Sequence, residues 1–221
     1  MNKTVILLGA PAVGKSTFSY RLRQQLPQMQ QFSVRLFTQQ LMESDTALGT
    51  YLRENRIARP KEYMPDQVVE QIFSAFLDAI PPDAFLLIEG FPINREQYYG
   101  MERQLGRVGR SADAVFVLTD DMEQIRRRHS TRMICPQCEL KNGAGLPIPP
   151  GQQHCPYCGG ELHRRVDDDP DFFEKRCRKF REELDFISSQ TPPEKMHCIR
   201  VSSTDPVEYL LFWLDSQVTE G

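Results

Sequence analysis

Gly9-Ala10-Pro11-Ala12-Val13-Gly14-Lys15-Ser16-Thr17 follows the pattern G-x-x-x-x-G-K-[ST]. Backbone N–H groups of such a loop point inward and form an anion nest. The helix behind it turns its positive dipole end to the same anion. Lys15 adds a mobile cation for β- and γ-phosphates, and Ser16 offers a hydroxyl to Mg2+. The alternative for the same string is an ordinary glycine turn before a helix.

A second group is Cys135-Pro136-Gln137-Cys138 and Cys155-Pro156-Tyr157-Cys158, two C-x-x-C pairs separated by sixteen residues. That spacing suits a four-cysteine zinc ribbon. Each tight turn supplies two thiolates, and four thiolates close a tetrahedral shell, so the metal would be structural. A redox dithiol is the competing reading, but it does not need a second pair. His154 and His163 are nearby substitute ligands, and Gly159-Gly160 lets the backbone turn close to the metal.

Charged residues flank this module on both sides. Arg128 and Arg132, four apart, share a helix face before it. Arg164, Arg165, Asp167, Asp168 and Arg176 follow it. Taken alone they read as a solvated surface. In a chain with a phosphate loop they suit closure over a transferring phosphoryl group, whose charge is spread over several oxygens.

The elements that must position these residues are legible as strands alternating with helices. An apolar run at 4–8 predicts a buried strand and 15–26 a helix. Alternation at 32–37 predicts a second strand, and 38–56 a helix with a break near Leu48-Gly49. Residues 66–80 carry apolar positions at helical spacing, stopped by Pro81-Pro82. A continuous apolar run at 84–88 reads as a parallel strand buried on both faces, and 112–118 as another buried strand. Helices are expected over 95–108 and 121–132. Asp169-Pro170 is an N-cap with proline at the first helical position, and 198–201 and 206–216 give a last strand and helix. This order implies an α/β/α sandwich around a parallel sheet.

The 221 residues suffice for one such domain with insertions. A net charge of −3 gives no overall pull toward nucleic acid or membrane, and no apolar run approaches transmembrane length. The first apolar run leads straight into the phosphate loop and is not read as a signal peptide. A soluble cytoplasmic monomer is expected, in which six cysteines serve as metal ligands or core residues rather than disulfides.

Together these residues resemble the adenylate kinases, specifically those with a long, zinc-containing lid. Gly9 to Thr17 matches their phosphate loop. Glu89-Gly90-Phe91-Pro92 with Gln97 matches their Asp-Gly-Phe-Pro-Arg-Thr-x-x-Gln motif. Arg128, Arg132, the four cysteines, Gly159-Gly160, Leu162, Arg165, Asp167, Asp168 and Arg176 follow the lid pattern in order and spacing. The resemblance implies a P-loop NTPase fold with about five parallel strands. It implies a single kinase domain over 1–221, with an inserted monophosphate-binding subdomain at 32–65 and an inserted lid at 129–168. The implied partners are ATP and a nucleoside monophosphate, with Mg2+ and structural Zn2+. Lys15 would hold the phosphates, with Ser16, Thr17 and the rest of the loop around the ATP. Glu89 would orient Mg2+ through water, with one methylene more than the family's aspartate. Arg128 would lie near the ATP base and phosphates. Arg132, Arg165 and Arg176 would neutralise the transferring group and acceptor phosphate. Gly90 and Gln97 would face the acceptor, and Asp167 and Asp168 would serve lid closure.

The departures from the family pattern lie on the acceptor side. Its Ser-Thr-Gly-Asp-x-x-Arg stretch corresponds to Ser33-Val34-Arg35-Leu36-Phe37-Thr38-Gln39, which puts Val34 at the threonine and Gln39 at a phosphate-binding arginine. Ile93 and Asn94 replace the arginine and threonine after Phe-Pro. Hydrogen bonds to charged groups are worth about 1.5–3 kcal/mol each, so two lost arginines amount to roughly two to four powers of ten. Arg35, Arg53, Arg56, Arg59 and Arg95 are the candidates to compensate. The alternative functions are a P-loop kinase for another small acceptor, or a non-catalytic ATP-binding module whose ribbon docks a partner.

Overall fold

The computed structural model describes residues 2–58, 63–138, 146–164 and 168–219. Five parallel strands form one sheet in the order β2-β3-β1-β4-β5. They are β1 Thr4–Gly9, β2 Gln30–Ser33, β3 Leu86–Glu89, β4 Ala114–Thr119 and β5 Met196–Arg200. The principal helices are α1 Lys15–Gln25, α2 Val34–Met42, α3 Ala47–Ala58, α4 Asp66–Ala79, α5 Arg95–Arg107, α6 Met122–Thr131, α7 Pro170–Gln190 and α8 Pro206–Thr219. No described helix is long and apolar enough to cross a membrane.

Side chains alternate across the sheet because successive Cβ atoms of a strand point to opposite faces. Val5 and Leu7 join Phe116, Leu118 and residues of α1, α7 and α8 in one core. Ile6 and Leu8 join Ile88, Val115, Val117 and residues of α4 and α5 in the other. Both faces of the sheet are therefore covered, and the ends of β1, β3 and β4 open onto the phosphate loop.

The expected strand at 32–37 is corrected: β2 ends at Ser33 and α2 starts at Val34. Val34, Phe37 and Leu41, at helical spacing, all pack on the second core. That burial prevails over the short alternation. The expected helix break at Leu48-Gly49 lies instead between Met42 and Ala47. Gly49 sits inside the first turn of α3 because a Cβ there would lie 2.2 Å from the Leu41 carbonyl oxygen. Arg53 closes the same corner, donating to the carbonyls of Met42 (2.5 Å) and Ser44 (2.8 Å) and to Thr50 Oγ1 (2.9 Å).

Phe32 meets Phe73 at 4.8 Å and Phe91 at 5.5 Å between ring centroids. Such pairs add about 0.5–1.5 kcal/mol each beyond their buried area. They anchor the end of β3 and the segment after it, Glu89 to Asn94.

Candidate active site

β1 delivers the chain to Gly9, where it must turn against β4. A Cβ at Gly9 would lie 2.7 Å from Val13 Cγ1 and 2.9 Å from the Leu118 carbonyl oxygen. Ala12 adopts a left-handed conformation at φ 64°. A non-glycine residue there costs about 1–2 kcal/mol, the kind of strain that collects at functional loops. α1 starts directly at Lys15.

The Lys15 ammonium donates to the carbonyl oxygens of Gly9 (2.6 Å) and Ala10 (3.0 Å). Burial pushes it down to about 8; Glu89 opposes the shift, and Arg176 and Arg132 add to it. A polyanion arriving at the loop would restore the charge. Nucleotide affinity should therefore be flat below pH 8 and fall about tenfold per unit above it, with uptake of about half a proton at pH 8. Calorimetry in buffers of different ionisation enthalpy measures that uptake. Its persistence in Lys15→Ala would assign the proton elsewhere.

Glu89 ends β3 beside α1 and is 8% exposed. Its Oε1 accepts from Ser16 Oγ at 3.0 Å. Its Oε2 accepts from Ser19 Oγ at 2.8 Å and Gln31 Nε2 at 2.6 Å. A hydroxyl beside a buried carboxylate at a phosphate loop is an all-oxygen donor set that fits Mg2+. Sequence reasoning found Ser16 and Glu89 but missed Ser19 and Gln31, for which no local motif exists.

Arg128 lies on α6 and reaches back to the loop, donating to the Val13 carbonyl at 3.3 Å. It also pairs with Asp120 at 2.7 Å, a carboxylate whose side chain is fully buried at the end of β4. Burial pushes Asp120 up, but hydrogen bonds from Ser202, the Asp121 N–H and Arg128 hold it below the usual carboxylate range. Asp120 was not singled out by the sequence.

Arg132 is paired with Asp168, whose side chain is 1% exposed. Nε of Arg132 donates to Oδ2 of Asp168 at 3.1 Å. His129 Nε2 stands 3.7 Å from the same carboxylate, and its ring stacks on Phe173 at 4.0 Å. The two chain segments that enter and leave the cysteine module are thus joined by one carboxylate. Arg176 lies on α7 with its Cζ 5.8 Å from the Phe172 ring centroid. Arg165 and Asp167 lie outside the described residues.

On the acceptor side, Gly90 follows Glu89, and a Cβ there would stand 3.6 Å from Lys15 Cε. Gln97 is buried; its Oε1 accepts the Ile93 N–H at 3.1 Å and its Nε2 donates to Asp66 Oδ1 at 2.8 Å. Asn94 caps α5 by accepting the Gln97 N–H and donates to the same Asp66 oxygen at 2.9 Å. The contacts to Ile93 and Asp66 use one N–H and one lone pair of the Gln97 side-chain amide. Arg95 turns onto Phe186, 4.6 Å from its ring centroid, and Arg53 is committed to the α2–α3 corner. The Arg56 side chain and Arg59 fall outside what is described. Tyr63 links this side to α7, 5.9 Å from Phe172 and 4.4 Å from Lys179 Nζ.

The sulfurs of Cys135, Cys138, Cys155 and Cys158 all lie within 4.8 Å of one another. Two of the separations are 3.5 and 3.7 Å. A tetrahedron with S–Zn of 2.3 Å has edges of about 3.8 Å, so the four sulfurs fit zinc. Paired hydrogen bonds between Ile134 and His163, both 2.9 Å, close the base of the module. Leu146, Ile148 and Leu162 pack on the sulfurs. Tyr157, between the last two cysteines, meets Tyr20 of α1 at 6.2 Å. His154 and His163 belong to short antiparallel bridges rather than to the sulfur cluster.

No protein-family model matches the chain. It is 30% identical over 195 residues to an adenylate kinase of Caldicellulosiruptor bescii, covering 86% of this chain and 83% of that protein. The adenylate kinase of Mycoplasma mycoides is 28% identical over 181 residues, covering 81% and 82%. That of Pyrococcus furiosus is 28% identical over 183 residues, covering 83% and 81%. With the phosphate loop on the central strand, the buried carboxylate beside it and the four-sulfur module in place, this likeness over most of both chains assigns the protein to the adenylate kinase family.

Proposed function

We propose that the protein is a nucleotide kinase that moves the γ-phosphoryl of Mg–ATP onto the phosphate of a nucleoside monophosphate. Family membership supports nucleotide kinase chemistry in general. The observation that carries the proposal is the grouping of Lys15, Ser16 and Glu89, with the Arg132 and Arg176 charges felt at Lys15. Bound Mg2+ supplies charge neutralisation on the phosphate oxygens. Lys15 leaves the Gly9 and Ala10 carbonyls for the phosphates, the loop N–H groups and α1 hold their oxygens, and Arg128 keeps α6 on the loop. Arg132, Arg165 and Arg176 surround the transferring group, and residues 32–65 hold the acceptor. Residues 129–168 close over the site and exclude water, with Asp168 joining the two ends of the module through Arg132 and Asp167 also serving closure. Catalysis here is placement plus charge complementarity, with no covalent intermediate.

The acceptor is the open part of this reading. Of the five candidate arginines, Arg53 is engaged at the α2–α3 corner and Arg95 on Phe186, Arg35 on α2 has an interaction of its own, and the Arg56 side chain and Arg59 lie outside the described residues. Gln39 and Ile93, uncharged where the family pattern has arginines, favour a second reading, in which the same chemistry serves an acceptor with less anionic charge than AMP. Coupled ADP production from Mg–ATP, with AMP, CMP, UMP, GMP and dAMP each supplied in turn, tests both. Turnover with AMP supports the first. Saturable nucleotide binding without turnover on any of the five overturns it in favour of another acceptor class.

A further inference from the structure

Glu89 is one end of a longer chain of hydrogen bonds. Ser16, Ser19 and Arg23 stand at i, i+3 and i+7 on one face of α1. That face looks onto the strand pair β2–β3, where Gln31 lies opposite Leu87 and Ser33 opposite Glu89. Side chains 31 and 89 are therefore diagonal neighbours on the same side of the sheet. Gln31 Nε2 donates to Glu89 Oε2 at 2.6 Å, and Gln31 Oε1 accepts from Arg23 Nη2 at 2.9 Å.

The direction of this chain follows from the donor inventory. A primary amide can present either its oxygen or its NH2 group to a neighbour, whereas a guanidinium only donates and a carboxylate only accepts. Arg23 at one end and Glu89 at the other admit one orientation of Gln31, with its NH2 group on the carboxylate. The opposite orientation would set oxygen against oxygen and donor against donor. Ser19 holds the same Oε2 from the helix side at 2.8 Å. The carboxylate is thereby clamped through one oxygen by two groups that have no place in phosphate binding. When the Ser16 hydroxyl turns to a metal, Oε1 is released and its direction is already set.

We infer that Arg23 and Gln31, together with Ser19, are positioning residues that hold Glu89 in place for the metal ion of the bound nucleotide. The inference rests on the phosphate-site reading above. Burial lowers the Arg23 guanidinium and the Glu89 charge opposes that shift, as expected for a cation placed to act on Glu89 through one amide. Arg23 makes no direct contact with substrate in this scheme, and its hydrogen-bonded link to Glu89 runs through Gln31.

The test needs no turnover. Mn2+ binding to the full chain, saturated with a β,γ-non-hydrolysable ATP analogue, is followed by electron paramagnetic resonance. Metal-free affinity for the analogue is measured alongside. Arg23→Met and Gln31→Leu should each weaken Mn2+ binding about tenfold while leaving metal-free nucleotide affinity unchanged. The double variant should lose clearly less than the product of the two single losses, because the hydrogen-bonded route from Arg23 to Glu89 runs through Gln31. Arg23→Lys, which can still donate to Gln31 Oε1, should recover most of the loss. Wild-type metal affinity in either single variant overturns the inference, as does a double variant in which the two losses multiply. An equal loss of metal-free nucleotide affinity also overturns it, since that reports general damage to the loop. If Arg23→Met does not fold, the Gln31→Leu arm decides alone. Failure of the unaltered chain to bind the analogue would overturn the phosphate site itself, and this inference with it, so the two failures are distinct.

Discussion

Lys15→Ala should lower phosphoryl transfer by about 10²–10³-fold while leaving the fold intact. The loss follows from removing a preorganised cation from a low-dielectric site where phosphate charge shifts in the transition state. The tolerance of the fold follows from the cost of burying that ammonium, which holds Lys15 down at about 8. Two carbonyl oxygens, those of Gly9 and Ala10, lose a donor, and water can replace it. The melting temperature should stay within a few degrees of the unaltered chain. Lys15→Arg should not rescue the rate, because a planar guanidinium does not fit where a compact ammonium meets two carbonyls. A rate within tenfold of the unaltered chain would show that Lys15 stands outside the reaction.

Removal of metal from the four-sulfur module should unfold that module and leave the sheet standing. Cys135, Cys138 and Cys155 are buried, and Cys138→Ser or Cys155→Ser should each release one equivalent of zinc. Among the described residues, Leu146, Ile148 and Leu162 are the apolar side chains that pack on the buried cysteines. Metal binding energy, about 10–16 kcal/mol in small zinc peptides, is therefore most of its stability. Amide exchange should become fast across residues 134–163, while β1 and β4 keep their protection. Phosphoryl transfer should fall with it, because a disordered lid cannot exclude water. Retention of protection after chelation would show that side-chain packing holds the module without metal.

The features legible in the sequence were those written in short spacings. The glycine loop, the two C-x-x-C pairs, the arginines at 128 and 132 and the Asp169-Pro170 cap each need only neighbours within a few residues. Asp169 indeed accepts the Phe172 N–H at 3.0 Å. What stayed hidden depends on register between distant strands. Gln31 meets Glu89 across 58 positions and Ser19 meets it across 70. Asp120 receives Arg128 only because α6 folds back over the end of β4. The α2 start was misread because four residues of real strand run straight into a helix with no turn residue between them. The commitment of Arg53 to two backbone carbonyls was equally invisible, since an arginine in a sequence does not announce whether it serves a ligand or a corner of the fold.

The place of β1 in the middle of the sheet has a consequence for synthesis. Thr4 pairs with Leu86 and Val5 with Ala114, so the first strand made has no partner until far later parts of the chain exist. At ribosomal speeds of about 5–20 residues per second, roughly 4–16 s pass between the emergence of Gly9 and that of Glu89, the end of its first partner strand. During that interval Val5-Ile6-Leu7-Leu8 is an unpaired apolar strand on a nascent chain. The same centrality that backs the phosphate loop with strands on both sides makes it among the last parts of the molecule to acquire its shape. It also makes that strand an early client for whatever guards the ribosome exit.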